Sequence, residues 1–269
     1  MARVKVGFIG LGVMGKGMAK NLLKAGFDIN VFDVVKELRE ELQKLGAKVS
    51  GSAKELSAIS NVVIVMVRDD QQTEEVVYGR EGVLEGLKKG TLIIMSTVSP
   101  GFIQRLETKV KEGIDILDAP VSGGHMGADA GTLSIMVGGK REVFEKCRTV
   151  LEAMGENIFY CGGSGAGLGA KLANNMILEV TIAAVLESLA LGSKAGLDSN
   201  VLFDIYKTST GGSWVIEHWD FVTEMRTIKP ATLALLRKDV GLALDFAKEK
   251  GVAVPLTSFS HTFDLSEKK

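Results

Sequence analysis

VKVGFIGLGVMGKGMAKNLLKAGFDINVFD, residues 4–33, is the stretch on which the fold turns. Residues 4–9 form a short apolar run in which Lys5 is the only charge. A run of that kind, bounded by glycine, suits a central strand of a parallel sheet, buried on both faces. Gly10-Leu11-Gly12-Val13-Met14-Gly15 follows, then a helical pattern through Lys24 to Gly26. A second apolar run, residues 29–32, ends at Asp33. The unit is therefore a strand, a glycine turn, a helix and a second strand. In that context the first glycine allows the tight turn, the second lets a pyrophosphate approach the backbone, and the third lets helix and strand pack closely. The helix start offers free N–H groups and a positive dipole end to phosphate. Asp33 can accept from both ribose hydroxyls and would repel a 2′-phosphate, and Val34 and Val35 beyond it supply no cation. The residues predict a dinucleotide site built from Gly10, Leu11, Gly12, Val13, Met14, Gly15 and Asp33, with NAD preferred over NADP. The structural alternative is a glycine-tightened βαβ unit with an empty crevice.

The alternation continues. Helical patterns cover residues 36–45, 53–60, 72–78, 102–112 and 141–154, and strand patterns cover 47–49, 62–67, 91–95, 114–117, 133–137 and 157–160. Strands alternating with helices predict a doubly wound, Rossmann-type α/β domain. Ligands in such sheets lie beyond the carboxyl ends of the strands, which puts residues 68–70, 96–99 and 118–124 at the rim of the glycine loop. Ser96 and Thr97 can reach a ligand there, or cap the helix that follows Pro100. Ser122-Gly123-Gly124 presents successive N–H groups and a hydroxyl with little obstruction, an anion nest suited to a carboxylate. A plain glycine-rich loop is the alternative, and His125 stands beside it.

After Gly162 strand signals fade and helical periodicity takes over, across residues 166–195, 200–206, 214–225 and 233–250. The sequence thus predicts a domain of residues 1–163 followed by an all-helical domain of 164–269. GAGLGAKLANN, residues 165–175, opens the second part with three alternate glycines and a lysine. On a helix, Lys171 shares a face with Asn174 and Asn175, one turn away. A cation, a carboxamide and an open glycine entry make a candidate proton-transfer site; a solvated lysine on an amphipathic helix is the alternative. Residues 171–195 are apolar nearly all round, as expected of a helix central to an α domain or in a subunit contact. Trp214, Trp219, Phe221 and Met225 read as core or interface. Lys238 and Asp239 are a charged pair within the apolar pattern LLRKDVGLAL, either on a solvated face or reaching toward the cofactor.

Composition narrows the class. The chain has 269 residues, 46% hydrophobic and 24% charged, with a formal net charge of −1 that offers no footprint for nucleic acid or an anionic membrane. The N-terminus runs straight into a strand, so no secretory leader is expected. The longest apolar stretch, residues 172–191, carries Glu179 and Glu187 and reads as a buried helix rather than a membrane span. Cys147 and Cys161 suit a reducing, cytoplasmic setting, with a disulfide between them left open. His125, His218 and His261 are scattered, and no metal site is expected.

With these residues assembled, the chain resembles the β-hydroxyacid dehydrogenase family, which includes 3-hydroxyisobutyrate dehydrogenase and tartronate semialdehyde reductase. The resemblance covers nearly the whole chain and rests on four ordered motifs. They are GFIGLGVMGKGMAKNL from Gly7, DAPVSGGHMGADAGTL from Asp118, GAGLGAKLANN from Gly165 and KDVGLALD from Lys238. It implies that Lys171 is the general acid/base and that Asn175 orients the reacting hydroxyl. It implies that Ser122, Gly123 and Gly124 hold the substrate carboxylate, and that Thr97 and Lys238 lie against the nicotinamide end of NAD or NADP. It further implies a Rossmann-type domain followed by a helical one, a site between them, a short β-hydroxy acid or semialdehyde as substrate, and a homodimer or homotetramer. Two positions depart from the family pattern: Arg68 stands where proline is usual, and Met95 where aspartate is common. Family members also usually continue some two dozen residues further, so a shortened helical domain is expected. An imine reductase shares the architecture, but the lysine–asparagine pair and the Ser-Gly-Gly loop suit a carboxylate-bearing alcohol better. A non-catalytic dinucleotide-binding protein is the alternative from another class.

Overall fold

Apolar runs without alternation become strands covered on both faces. Among the described residues, nine strands form one sheet. They are β1 (Lys5–Ile9), β2 (Asp28–Phe32), β3 (Lys48–Val49), β4 (Val62–Val65), β5 (Gly90–Ile94), β6 (Ile114–Asp118), β7 (Val121–Ser122), β8 (Leu133–Gly139) and β9 (Gly155–Gly162). The order across the sheet is β3-β2-β1-β4-β5-β6-β8-β7, with β9 pairing with β8. The first six strands run parallel, while β8 is antiparallel to β6 and β7 and parallel to β9. This is the doubly wound α/β architecture that the alternation predicts. The computed structural model describes residues 4–266.

Register places the functional rim. Ile9 of β1 pairs with Val65 of β4, Val65 with Ile94 of β5, and Ile94 with Asp118 of β6. The loops after these strands therefore leave from one edge. One face of the sheet packs Phe8, Leu22, Val31 and Phe144, and the other packs Ile9, Leu56, Phe102 and Leu168. Each of these side chains is 2% exposed or less. Full burial of one such side chain stabilises by about 1.5–3 kcal/mol, so the rim stands on a rigid base.

Contacts divide the chain into one unit up to Lys171 and a second from Leu172 onward. The first unit runs into the helix Ala166–Lys194, because Leu168 belongs to the sheet's core. In the second unit, Ile182, Val185, Ile216, Val222, Leu236 and Val240 form a separate core. Its further helices are Ser199–Thr208, Trp214–Glu217, Trp219–Thr227, Pro230–Glu249 and Pro255–Ser260. The single helix expected over 214–225 is broken at His218, whose ring stacks on Trp214 at 4.2 Å and whose Nδ1 lies 3.0 Å from the Trp214 carbonyl.

The helix Ala166–Lys194 is long and apolar enough to cross a membrane by length and composition, and 28% of its most apolar window is buried. The expectation of a helix central to the α domain holds on one face only. Ile182, Ala183 and Val185 are buried, whereas Ile177 and Leu191 are exposed. Glu179 is fully buried; its Oε1 lies 3.0 Å from Nδ1 of His261, and its Oε2 lies 4.0 Å from the Arg237 guanidinium. Cys147 and Cys161 are both free thiols, so the disulfide left open by the sequence does not form.

Candidate functional site

The glycine loop begins where β1 ends. Gly10 has φ +94°, and a Cβ there would stand 2.2 Å from the carbonyl oxygen of Met66. Gly15 lies just as close to the loop itself, its notional Cβ 1.9 Å from the Gly10 carbonyl oxygen. Both glycines are therefore needed by the backbone alone. Gly12 differs: a Cβ there meets no described atom within 4 Å. That openness, at the start of a helix (Val13–Lys24) with no side-chain cap, fits the close approach of a dinucleotide's phosphates. Leu11 is buried and Val13 projects outward.

Asp33 lies at the end of β2 and does more than the sequence indicates. Its Oδ2 accepts from the Leu11 N–H at 2.6 Å and its Oδ1 from the Val35 N–H at 2.8 Å. The carboxylate thus ties the glycine loop to the neighbouring strand. Each oxygen keeps a second lone pair for a ribose hydroxyl.

Beyond β5, Ser96 is fully buried and its Oγ accepts from the Val67 N–H at 2.8 Å. It joins two rim loops and does not cap the helix Pro100–Lys109. Thr97, next in the chain, is half-buried. Ser122 ends β7, and Gly123 (φ +122°) and Gly124 (φ +61°) take left-handed conformations that favour glycine. They turn the chain into the short helix Gly124–Ala130, which the glycine-rich sequence concealed. His125 lies in its first turn, half-buried.

Asp118 is the residue the sequence undervalued. It is fully buried at the end of β6, and its two oxygens accept from the N–H groups of Gly165 and Leu168, each at 2.8 Å. Burial pushes its carboxyl up from the usual range, and the backbone N–H bonds pull the other way. Asp118 thereby caps the start of the helix that carries Lys171. A Cβ on Gly167 would stand 2.2 Å from the Met136 carbonyl oxygen and 2.9 Å from Oδ2 of Asp118. The expected open glycine entry is in fact a tight seat for the helix on β6 and β8. Lys171, at 9% exposure, is buried rather than a solvated surface lysine.

In the second unit, Asn175 is buried and its Nδ2 donates to Oδ2 of Asp239 at 2.9 Å. Its Oδ1 accepts from Asn174 at 3.2 Å. Lys238 holds the other oxygen of Asp239 at 3.0 Å. The buried carboxylate of Asp239 thus joins Asn175 and Lys238, a link that spacing alone could not reveal. Lys171 and Asn175 lie one turn apart on the same helix.

Two family profiles match the chain in succession. One, described as the NAD binding domain of 6-phosphogluconate dehydrogenase, covers residues 5–163. The other, described as NAD-binding of NADP-dependent 3-hydroxyisobutyrate dehydrogenase, covers residues 165–263. The NAD-dependent L-serine dehydrogenase of Pseudomonas aeruginosa is 41% identical over 95% of this chain and 89% of its own length. The chain belongs to the β-hydroxyacid dehydrogenase family. The 2-hydroxy-3-oxopropionate reductase of Escherichia coli is 40% identical over 95% of this chain and 88% of its own length. Among solved structures, a Mycobacterium tuberculosis 3-hydroxyisobutyrate dehydrogenase with L-serine superposes with a TM-score of 0.84. It is 33% identical, and the match covers 97% of this chain and 92% of that one. As a family member the chain is an NAD(P)-dependent oxidoreductase of hydroxy acids and semialdehydes.

Proposed function

We propose that this enzyme interconverts a short β-hydroxy acid and its semialdehyde, with Lys171 moving the hydroxyl proton and NAD preferred over NADP. The observation that carries this reading is the burial of Lys171 on a helix seated by Asp118, one turn from an Asn175 fixed by Asp239. Lysine is among the residue types most seldom buried, so its burial here sets it apart from a lysine on a solvated helix face. In the oxidative direction Lys171 Nζ accepts the proton of the substrate hydroxyl, and in reverse it returns a proton to the aldehyde oxygen. Asn175 orients that oxygen, because its carboxamide is already held by Asp239 and Asn174. Ser122, Gly123 and Gly124 hold the carboxylate through N–H groups and a hydroxyl. The dinucleotide lies along Gly10–Gly15 (residues 10–15), its ribose on Asp33 and its nicotinamide end beside Thr97 and Lys238. When bound, it supplies the hydride acceptor or donor; the protein supplies orientation and electrostatics.

Residues 1–163 serve the dinucleotide in this reading, and 164–269 serve the substrate and assembly. The exposed Ile177 and Leu191 on the long helix support a homodimer or homotetramer, in which such side chains find cover. The enzyme acts in the cytoplasm.

The test is direct. NAD is mixed with a panel of β-hydroxy acids and their methyl esters, and absorbance is followed at the reduced-nicotinamide band. Acids turn over and esters turn over poorly, through a raised KM. No absorbance with any acid would overturn the reaction, and equal turnover of acid and ester would remove the carboxylate role of Ser122, Gly123 and Gly124.

A further inference from the structure

Asn21 occupies a costly position. It lies inside the helix Val13–Lys24, where asparagine is a weak helix former, and it is 8% exposed. A buried carboxamide is unfavourable unless its hydrogen bonds are made elsewhere. Its Nδ2 donates to the carbonyl of Ala128 at 2.7 Å and to that of Asp129 at 3.3 Å. These carbonyls belong to the last turn of the helix Gly124–Ala130, where backbone acceptors have no partner within the helix.

The surrounding backbone is cut to fit this contact. Gly17, one turn before Asn21, has no Cβ; one there would stand 2.8 Å from both the carbonyl carbon and oxygen of Ala128. Gly131 closes the short helix with φ +75°, and a Cβ there would come within 3.3 Å of Asn21 Nδ2. Two bare backbones and one carboxamide thus lock the helices together.

Each of these helices begins at a ligand loop. Val13–Lys24 starts at Gly12, and Gly124–Ala130 starts directly after Ser122 and Gly123. The helices are 12 and 7 residues long, so a slide where they touch is passed to the loops at their heads. We infer that Asn21 is a positioning residue that couples the dinucleotide loop to the carboxylate loop, so that each ligand tightens the other. This rests on the proposed function, which assigns those two loops their ligands.

The experiment uses Asn21→Leu, which keeps the volume and removes the donor, and Gly17→Ala, which presses a methyl group on the Ala128 carbonyl. NAD affinity is titrated with and without isobutyrate, a short acid lacking the β-hydroxyl, and KM and kcat are measured with the best acid of the panel. In the wild type, isobutyrate strengthens NAD binding severalfold, within the usual span of coupled sites. In Asn21→Leu that coupling falls to about one and KM rises about tenfold, while NAD affinity alone stays within about twofold, because the phosphate and ribose contacts remain. Asn21→Gln, which retains the donor, recovers part of the coupling. If Asn21→Leu does not fold, Gly17→Ala carries the same expectation, and failure of both to fold would reduce Asn21 to a structural residue. Full coupling in a folded variant would overturn the inference while leaving the proposed reaction intact. An inactive wild type would instead sink the reaction.

Discussion

Replacing Gly12 by alanine adds one methyl group where the dinucleotide's phosphates are proposed to approach. The fold itself has no reason to resist. The backbone at Gly12 is extended, with φ −62° and ψ −165°, a conformation open to any residue. The new Cβ meets no described atom within 4 Å. Alanine also loses less backbone freedom on folding, so stability should hold or rise by about 0.4–1 kcal/mol. For a chain of this size that corresponds to a rise in Tm of about 1–4 °C. The ligand meets a different situation. Its phosphate oxygens must come within about 3 Å of backbone N–H groups, whereas a methyl carbon holds them off at about 3.5 Å or more. Losing one hydrogen bond to a charged group costs about 1.5–3 kcal/mol, which raises Kd for NAD roughly ten- to a hundredfold. Gly15→Ala is the contrast. Its Cβ would sit 1.9 Å from the Gly10 carbonyl oxygen, so fold and affinity should both suffer. Thermal melts beside calorimetric NAD titrations separate the two. A Gly12→Ala protein that binds NAD within about twofold of the wild type would refute the placement of phosphate on this loop.

The other expectations are quickly tested. Asp33→Ala should narrow the preference for NAD over NADP and weaken both, because the Leu11 and Val35 N–H groups lose their acceptor; a wild type that prefers NADP tenfold or more, about 1.4 kcal/mol, would show the assignment to be wrong. Lys171→Ala should lose roughly 10²–10⁴ in kcat with NAD still binding, and Lys171→Arg should not rescue it, since a guanidinium stays protonated; a variant within about fivefold of the wild type would move the proton-transfer role elsewhere. Burial raises the Asp118 carboxyl, so the stability linked to it is full below the free-carboxylate range near pH 4 and falls as pH rises through the raised value. Asp118→Asn should abolish that limb of the urea-midpoint profile, and an unchanged profile would show that the limb belongs to another group.

The boundary between what could and could not be read in the sequence follows the range of the interactions. β1 and β4 are legible because a strand buried on both faces needs only a short apolar run, and the glycine loop because its turn, approach and packing are settled within six residues. The helix that carries Lys171 is legible by periodicity, yet its seat is not. Asp118 bonds to Gly165 across 47 positions and to Leu168 across 50, and no local pattern announces such a cap. Asn175 meets Asp239 across 64 positions, and Asn21 meets Ala128 across 107. The helix Gly124–Ala130 has glycine at its first position and in its middle, and Gly131 directly follows it, so helix propensity argues against it. Asn21 and the close-packed Gly17 hold it in place instead. The glycines misled for the same reason: the sequence cannot distinguish Gly12, which is open, from Gly167, which is pressed against a neighbouring strand. In this chain the groups proposed to do the chemistry are short-range and visible, and the groups that aim them are long-range and hidden. Aim is as consequential as identity, since a shift of about 1 Å in a reacting group can cost on the order of 10² in rate. Asn21, Asp118 and Asp239 each stand inside one of the four motifs and bond to a residue of another, Ala128, Gly165 and Asn175 respectively. Exchanging one motif alone between family members would therefore part each of them from the partner through which the motifs act together.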